Sequence, residues 1–378
     1  MQRGLGFCLI ALWSWIPAPQ ARWSWSGVER IVAVGDIHGD YERYIQVLRS
    51  AQIINRMTDW SGGRTHLVQM GDIPDRGPYP RKIMDLLMKL EEQAEKAGGR
   101  VHVVLGNHEA MNVYGDLRYV TPEEYDEFRD SNSEQVRQAF WGRALEEMYK
   151  NAEAGGTTVA IDSAFRRRWR ANYPLGFFEH RSAYAPNGKY GRWILNHNAI
   201  IRIDDTLFVH GGIGPKYADV APDVINQKVR SELADFSLLQ GGIITDEEGP
   251  LWYRGLAQGD ELELAAHVDA VLTNFGVRRI VIGHTPTGTT VIPRFGGEVI
   301  LADVGLSRVY GGPPACLVIE KNIAYALHRG KLLEIPRDSG KELLAYLRRA
   351  AALDPRRSPI DKAIQELQTK LAAAPVKP

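Results

Sequence analysis

The chain has 378 residues, 44% hydrophobic and 24% charged, so it can bury a sizeable core as one large domain or two small ones. Its 46 basic and 46 acidic residues give a net charge of zero. This balance argues against binding of nucleic acid or of an anionic membrane through bulk charge.

The first 21 residues differ in composition from the rest. A positive start is followed by an uncharged apolar run at residues 4–16 and by a Pro- and Ala-containing stretch at residues 17–21. This pattern predicts a secretory signal peptide cleaved after Ala21, and therefore a secreted or periplasmic protein without stable membrane insertion. The alternative is an uncleaved N-terminal anchor or an interfacial helix, although the run is short for a bilayer span.

Two cysteines are present. Cys8 lies in the predicted signal peptide, so Cys316 is the only cysteine of the predicted mature chain. This excludes an intrachain disulfide and a cysteine-rich metal site after cleavage, and it disfavours a phosphatase with a cysteine nucleophile. Because Cys316 lies in an apolar strand pattern, we expect a buried and unreactive thiol.

Strands and helices alternate through the first hundred residues, which is typical of an α/β fold. The predicted strands are residues 31–34, 67–70 and 101–105, and the predicted helices are about residues 41–51, capped by Asp40, and 79–96. Each strand ends in glycine-flanked polar residues. The carboxyl ends of strands are where open α/β sheets place ligand sites.

The pattern changes at about residues 112–192. A helix is predicted to open at Thr121, and polar, aromatic and basic residues follow. We interpret this stretch as a mostly helical insertion over the sheet and a candidate substrate cap. Its basic cluster, Arg166–Arg168 with Arg170, could contact an anionic substrate or peptide, or it could be a solvated helix face.

Strands return beyond the insertion, around a helix-rich span at about residues 215–275. Strands are predicted at residues 193–203, 206–210 and 279–282, and a closing antiparallel run at residues 291–293, 299–304 and 315–319, with a hairpin turn at Gly296 and Gly297. The predicted domain covers residues 28–335. Residues 336–378 are predicted to form a helical C-terminal tail on the surface.

Five strand ends carry the candidate chemistry. They present Asp36 with His38, Asp72 with Asp75 and Arg76, Asn107 with His108 and Glu109, then His210, and finally His284. Any one has an ordinary structural explanation, but five glycine-flanked ends in one chain favour a shared ligand. His, Asp and Asn ligands without a thiolate suit Mn, Fe or Zn. A pair of metals about 3.5–4 Å apart, bridged by one carboxylate, fits this set.

These motifs, in this order, resemble those of the PPP-family phosphoprotein phosphatases, within the calcineurin-like metallophosphoesterase superfamily. Residues 250–255, 283–286 and 303–307 resemble the bacterial branch called Shewanella-like phosphatases. The resemblance covers about residues 30–320, without the insertion. It implies the calcineurin-like α/β fold, in which two β-sheets are sandwiched between helices.

The resemblance also implies roles for single residues. One metal would be held by Asp36, His38 and Asp72, and the other by Asp72, Asn107, His210 and His284. A hydroxide bound between the metals would attack phosphorus in line, without a phosphoenzyme. His108 would protonate the leaving oxygen and be oriented by Asp75. Arg76, Arg254 and Asn107 would contact the phosphate, and Glu109 would give support behind the ligands.

The main hypothesis is a metal-dependent phosphomonoesterase that acts on phosphorylated protein or peptide, with a possible preference for phosphotyrosine. We expect two divalent or trivalent metal ions, with Mn the most effective in vitro. A nucleotide or dinucleoside-polyphosphate hydrolase is the near alternative. A catalytically silent metal-binding protein is the alternative of another class, although the intact His108, Asp75 and Arg76 argue against it.

Overall fold

The computed structural model describes residues 22–158, 160–337, 340–355 and 357–373, so the predicted signal peptide lies outside the described residues. The helices are α1 (Tyr41–Ser50), α2 (Pro80–Lys96), α3 (Asn107–Tyr114), α4 (Pro122–Phe128), α5 (Ser133–Ala154), α6 (Ser163–Asn172), α7 (Phe177–Tyr184), α8 (Lys189–Leu195), α9 (Pro222–Ala234), α10 (Gly255–Gln258), α11 (Glu261–Phe275), α12 (Lys341–Ala351) and α13 (Ile360–Ala373). The strands are β1 (Ser24–Trp25), β2 (Arg30–Val34), β3 (His66–Gln69), β4 (Arg100–Val103), β5 (Ile200–Ile203), β6 (Thr206–Val209), β7 (Arg279–Ile282), β8 (Ile292–Arg294), β9 (Val299–Leu301), β10 (Ala315–Glu320), β11 (Ile323–His328) and β12 (Lys331–Glu334).

Two six-stranded sheets form the centre of the molecule. Their strand orders are β12-β11-β10-β2-β3-β4 and β1-β5-β6-β7-β9-β8. In the first sheet β2, β3 and β4 run parallel, and in the second β6, β7 and β9 run parallel. Both sheets contribute to one hydrophobic cluster. The predicted α/β class with two sheets and helices is therefore confirmed.

The central strands are apolar on both faces because both faces are covered. Ile31, Val32, Ala33 and Val34 of β2 are all buried, as are Leu67 and Val68 of β3. Parallel strands covered on both sides require such continuous apolar runs. The helices that follow are amphipathic instead, and the side chain of Asp40 caps α1 by accepting the Arg43 N–H at 3.2 Å.

The range predicted to be a helical insertion contains helices α4 to α8. The Thr121 hydroxyl caps α4 by accepting the Glu124 N–H at 3.2 Å. The Arg181 guanidinium of α7 donates to the carbonyls of Asn112 and Val113, at the end of α3. Because α3 begins at Asn107, this contact ties the insertion, called the cap below, to an element that carries predicted site residues.

Two sequence predictions of strands are corrected, and three strands are new. The predicted strand at residues 193–203 is wrong, since α8 continues to Leu195 and β5 begins only at the β-branched Ile200. The closing run is also divided between the sheets. Strand β9 pairs in parallel with β7 and antiparallel with β8, whereas β10 joins the other sheet beside β2. Strands β1, β11 and β12 were not predicted.

Two further predictions concern Cys316 and the C-terminal segment. The Cys316 thiol in β10 is fully buried, and burial raises its pKa to about 12, as expected of an unreactive thiol. Helix α12 lies less on the surface than predicted, because it buries Tyr346 and Leu347. The Tyr346 hydroxyl donates to the Val291 carbonyl at 2.7 Å. Among the described residues, none of the helices combines the length and apolarity needed to cross a membrane.

Candidate dimetal centre

The loops after β2, β3 and β4 are bonded to one another at the carboxyl edge of the sheet. The backbone N–H groups of Ile37 and His38 donate to the Asp72 carbonyl at 3.1 and 2.9 Å. The Glu109 carboxylate accepts the N–H groups of Asp72, Ile73 and Gly106 at 2.9, 2.7 and 2.8 Å. These bonds fix the three loops in one arrangement, in which the Glu109 carboxylate contacts the backbone of the Asp72 loop.

Gly106 is required by the closeness of these loops. A Cβ atom at this position would lie 2.3 Å from Asp72 Oδ1 and 2.7 Å from the Asp72 nitrogen. The nitrogen is a backbone atom that cannot rotate away, so any side chain here would displace the Asp72 loop. The glycine before Asn107 therefore allows the close approach that brings β4 residues to Asp72.

Asp72 lies between two groups of potential ligands. Its Oδ1 is 3.3 Å from His210 Nε2, while its Oδ2 is 3.7 Å from His38 Nε2 and 3.8 Å from His108 Nε2. Two sets of potential ligand atoms, each within 4.8 Å of one another, share this residue: His38, Asp72 and His108, and then Asp72, His210 and His284. This is the geometry expected of a bridging carboxylate.

Hydrogen bonds orient the imidazoles toward Asp72. The Nδ1–H groups of His38 and His210 donate to the carbonyls of Pro74 and Met70 at 3.1 and 2.7 Å. Their Nε2 lone pairs therefore face inward, since in metal sites a hydrogen bond from the other ring nitrogen orients a ligand histidine in this way. His210 Nε2 also lies 3.1 Å from Asn107 Oδ1 and 3.2 Å from His284 Nδ1. Such a convergence of buried acceptor atoms fits a cation.

The ionisation of two predicted ligands, His38 and His284, also fits metal ligation. Burial lowers the pKa of His38 to about 3 and that of His284 to about 2. Ligand histidines must be neutral to offer a lone pair to a metal. Burial opposes ionisation of Asp72, but the nearby His210 and His108 outweigh it and hold the Asp72 pKa well below its ordinary value. Asp72 is thus a carboxylate.

Asp36 lies beside these two groups and is also buried. Its Oδ1 accepts the His284 N–H at 3.1 Å, so it joins the first sheet to the second. Burial, together with the charges of Asp303 and Asp72, raises the Asp36 pKa well above its ordinary value. Burial likewise raises the Asp303 pKa to about 6. Packing of carboxyl groups at this density is costly unless cations lie among them.

His108 is held by two residues. Its Nδ1 is hydrogen-bonded to Asp75 Oδ2, and Asn112 Nδ2 donates to Asp75 Oδ1 at 3.1 Å and to the His108 carbonyl at 3.0 Å. Burial disfavours the charged imidazole, but Asp72 and Asp75 outweigh burial and raise the His108 pKa. The Arg76 guanidinium lies 3.5 Å from His108 Nε2. A proton donor and an anion-binding group are therefore adjacent.

The same loops have unusual backbone geometry. Five site residues that are not glycine have φ in the left-handed region: His38 (46°), Asp72 (51°), Asp75 (69°), Arg76 (67°) and His284 (63°). Each such residue costs about 1–3 kcal/mol and persists only where its surroundings enforce it. Concentration of strain at one edge of the sheets is typical of a functional site.

Two exposed tyrosines flank Arg76. The Arg76 Cζ atom is 4.6 Å from the Tyr119 ring centroid and 5.4 Å from that of Tyr310. The Tyr119 carbonyl also accepts the Arg76 N–H at 3.0 Å. Arg254 lies on the side of His284, because its Nη1 donates to the His284 carbonyl at 2.8 Å and to Thr285 Oγ1 at 2.9 Å. It is exposed, so its predicted contact with phosphate stays a prediction.

The structure thus brings every predicted site residue to one edge of the sheets. Sequence reasoning assigned no role to four residues at this edge: Asp303, Asn112, Tyr119 and Tyr310. Asp303 lies in the stretch used for the resemblance, and Asn112 lies one helical turn after His108. Their positions in the sequence were therefore weak indications of a role at the site. The tyrosines left none, because only the folded chain places them over Arg76.

Comparison with known proteins agrees with this geometry. The model of the family described as calcineurin-like phosphoesterase matches residues 29–288. Shewanella-like protein phosphatase 2 of Arabidopsis thaliana is 31% identical over 309 residues, which are 78% of this chain and 76% of that protein. An uncharacterized protein of Schizosaccharomyces pombe is 32% identical over 311 residues, 81% of this chain and 82% of that protein.

A solved structure is also similar. The crystal structure of a cold-active protein-tyrosine phosphatase of a psychrophilic Shewanella species has 28% sequence identity and a TM-score of 0.62. The similarity covers 84% of this chain and 82% of that chain. The likeness therefore extends over most of the chain, and not only over the motifs.

Proposed function

This chain belongs to the calcineurin-like phosphoesterase family and is a metal-dependent phosphomonoesterase, and from that premise we propose that it acts on phosphorylated protein or peptide, with phosphotyrosine preferred. The observation that carries this proposal is the position of Arg76. Its guanidinium lies beside His108 and between two exposed aromatic rings.

The metal ions are proposed to bind at the shared Asp72. The ligands would be Asp36, His38, Asp72, Asn107, His210 and His284. Two metal ions there would polarise the phosphate ester and lower the pKa of an attacking water molecule. Nitrogen and oxygen ligands without a thiolate suit Mn, Fe or Zn, and Mn is the metal we propose for loading in vitro.

The chain's own residues would bind the phosphate and supply a proton. Among the described residues no carboxylate lies within 4 Å of the Arg76 guanidinium. Its N–H groups can therefore donate to two phosphate oxygens at once. Arg254, placed by the His284 carbonyl, would contact the phosphate from the other side. His108, oriented by Asp75, would protonate the leaving oxygen.

The tyrosines support a preference for an aromatic ester. Tyr119 and Tyr310 are 38% and 37% exposed, although they contact the buried centre. The Tyr310 ring lies 5.5 Å from the His38 ring, and the Tyr119 ring lies 5.1 Å from that of His108. A phenyl ring attached to a phosphate at Arg76 would therefore pack against them. The similar Shewanella enzyme is described as a protein-tyrosine phosphatase.

The cap supports a peptide substrate. Helix α6 has no buried residue, and its four arginines, Arg166, Arg167, Arg168 and Arg170, have no carboxylate within 4 Å in the described part of the chain. Three of them line a cavity of about 290 Å³ together with Trp141 and Trp169. A basic surface with aromatic walls would suit the acidic residues that flank a phosphorylated side chain.

A substrate panel tests this proposal. We expect Mn-loaded protein to hydrolyse p-nitrophenyl phosphate, and to hydrolyse a phosphotyrosyl peptide faster than the matching phosphoseryl peptide. Replacement of Tyr310 with leucine should lower kcat/KM for the phosphotyrosyl peptide by about tenfold, because an aromatic pair contributes about 0.5–1.5 kcal/mol. The rate with the phosphoseryl peptide should hardly change.

The control for that variant is Tyr149→Leu, which replaces a tyrosine that is 51% exposed on the cap helix α5. It should leave both peptide rates unchanged. A preference for diadenosine tetraphosphate over every phosphopeptide would contradict the proposal and favour a nucleotide hydrolase. A higher rate with the phosphoseryl peptide would contradict the phosphotyrosine preference alone.

We further propose that the protein is exported, because residues 1–21 have the composition of a signal peptide. N-terminal sequencing of protein recovered from the periplasm or the medium should then begin near Arg22. Protein that remains in the cytoplasm and begins at Met1 would contradict this proposal.

A further inference from the structure

A buried pair of polar residues in the cap lies beneath the proposed proton donor, and the mechanism above does not use it. Glu124 of α4 and His180 of α7 are both fully buried. Buried ionisable residues need a partner, since their desolvation is costly. The two residues face each other, with Glu124 Oε1 3.5 Å from His180 Nε2.

Glu124 holds the backbone of the residue that orients His108. Its Oε2 accepts the Asp75 N–H at 3.1 Å. Asp75 is fully buried and has a left-handed φ of 69°, a conformation that its surroundings must enforce. The side chain of Asp75 is in turn bonded to His108 Nδ1. The contacts therefore run without a gap from the cap to His108.

The other half of the pair is enclosed by aromatic rings. The His180 ring lies 4.5 Å from the ring of Tyr184, 4.9 Å from that of Phe128 and 5.2 Å from that of Tyr125. Neither His180 nitrogen has a hydrogen-bond partner among the described residues, and neither does Glu124 Oε1. Two of these three atoms, Glu124 Oε1 and His180 Nε2, are the ones that face each other.

One protonation state satisfies the two facing atoms without burying a charge. If Glu124 is a neutral acid, its Oε1–H points toward the lone pair of His180 Nε2, and its Oε2 still accepts the Asp75 N–H. An ionised Glu124, with His180 either neutral or charged, would place at least one charge among aromatic rings, which is the costlier state. Burial raises the Glu124 pKa well above its ordinary value and lowers the His180 pKa to about 3, which agrees with the neutral pair.

We propose that Glu124 is a positioning residue: as a neutral acid held by His180, it fixes Asp75 and, through Asp75, sets the orientation of His108 for protonation of the leaving group. The proposal rests on the proposed role of His108. It assigns the cap a function in catalysis that is separate from substrate binding.

Leaving-group dependence distinguishes this role from a purely structural one. Phenol has a pKa of about 10 and is a poor leaving group unless it is protonated, whereas p-nitrophenolate leaves readily without a proton. A misplaced general acid therefore slows phenyl phosphate hydrolysis far more than p-nitrophenyl phosphate hydrolysis. A general loss of stability would slow both to the same extent.

The experiment compares Glu124→Gln and Glu124→Leu in the full chain loaded with Mn. Glutamine can accept the Asp75 N–H and donate to His180, so we expect kcat/KM within about threefold of the unmodified protein for both esters. Leucine can do neither, and kcat/KM for phenyl phosphate should fall by about 10²-fold, a typical cost of a misplaced catalytic group. The rate with p-nitrophenyl phosphate should fall much less.

The matched control is Glu127→Leu, one turn later on α4, where the carboxylate accepts the Arg81 N–H at 2.9 Å. It should leave the ratio of the two rates unchanged. If Glu124→Leu does not fold, His180→Phe provides the second variant, because a phenyl ring fits the aromatic pocket but cannot accept the proton. We expect it to lower the phenyl phosphate rate selectively.

Three results separate the possible failures. Equal losses on both esters in Glu124→Leu, or in His180→Phe where the former does not fold, would overturn the inference. Glutamine behaving like leucine would overturn the neutral-acid state of Glu124. If the unmodified protein hydrolysed neither ester, the proposed function would be wrong, whatever the variants did.

Discussion

Replacement of His108 with alanine should lower kcat by about 10²- to 10⁴-fold, the usual contribution of a general acid, while the protein keeps its two metals. The loss should be larger for phenyl phosphate than for p-nitrophenyl phosphate, because the missing group is proposed to supply a proton to the leaving oxygen. Elemental analysis beside steady-state kinetics measures both quantities. The structure makes the metal measurement necessary, since His108 Nε2 lies only 3.8 Å from Asp72 Oδ2 and could itself be a ligand.

A double-mutant cycle with Asp75→Asn completes this test. Asp75 contacts His108 Nδ1, and we expect it to act through that imidazole. The loss in the double variant should then be about that of His108→Ala alone, because groups that act as a unit are not additive. Loss of metal from His108→Ala as large as that from an Asp72 variant would identify His108 as a ligand and refute its assigned role.

Replacement of Asp72 with asparagine should lower metal content and turnover together. The two carboxylate oxygens face different ligand groups, so one substitution weakens both metal sites. Asp72 Oδ1 accepts the backbone N–H of His108 at 3.1 Å. Asparagine keeps an oxygen that can accept this bond, so we expect the fold to survive. Turnover should fall by at least as much as in His108→Ala.

Thermal unfolding gives a second measurement of the Asp72 variant. Excess Mn²⁺ should raise the Tm of the unmodified protein, because a ligand at 100 times its Kd stabilises the folded state by about 2.7 kcal/mol. The shift should be absent in Asp72→Asn and intact in the control Asp126→Asn, an exposed position on α4. A full Mn²⁺-dependent shift in Asp72→Asn would mean that Asp72 does not bridge the metals.

The loops of the candidate site could be predicted because each one is indicated by a short stretch of consecutive residues. A strand that ends at a ligand site is indicated by an apolar run followed by a glycine and a polar residue. This pattern depends only on neighbouring residues in the sequence. Asp36, Asp72 and Asn107 follow parallel neighbours, so their convergence was expected from sheet geometry. The assignment of His210 and His284 to the same metal as Asp72 came from the resemblance.

Predictions failed where the outcome depends on pairing between distant segments. Residues 193–195 are apolar enough for a strand, yet the Trp193 indole donates to Glu91 of α2 at 3.0 Å and the segment before Asn196 is helical. Strand β9 looked like part of an antiparallel run, but its parallel partner β7 lies in the same sheet and β10 does not. Neither the helix before Asn196 nor the pairing of β9 with β7 can be predicted from a short stretch of sequence.

The sequence by itself determined the fold class, the loops that carry the ligands and the family, because all three depend on residue types at fixed spacing along the chain. Only the tertiary structure decided which oxygen of Asp72 faces which imidazole, that Asp303 lies beside Asp36, that two tyrosines flank Arg76, and that Glu124 and His180 meet beneath Asp75. These contacts join residues far apart in sequence. Their distances are set by packing of the two sheets and the cap, and no local pattern records that packing.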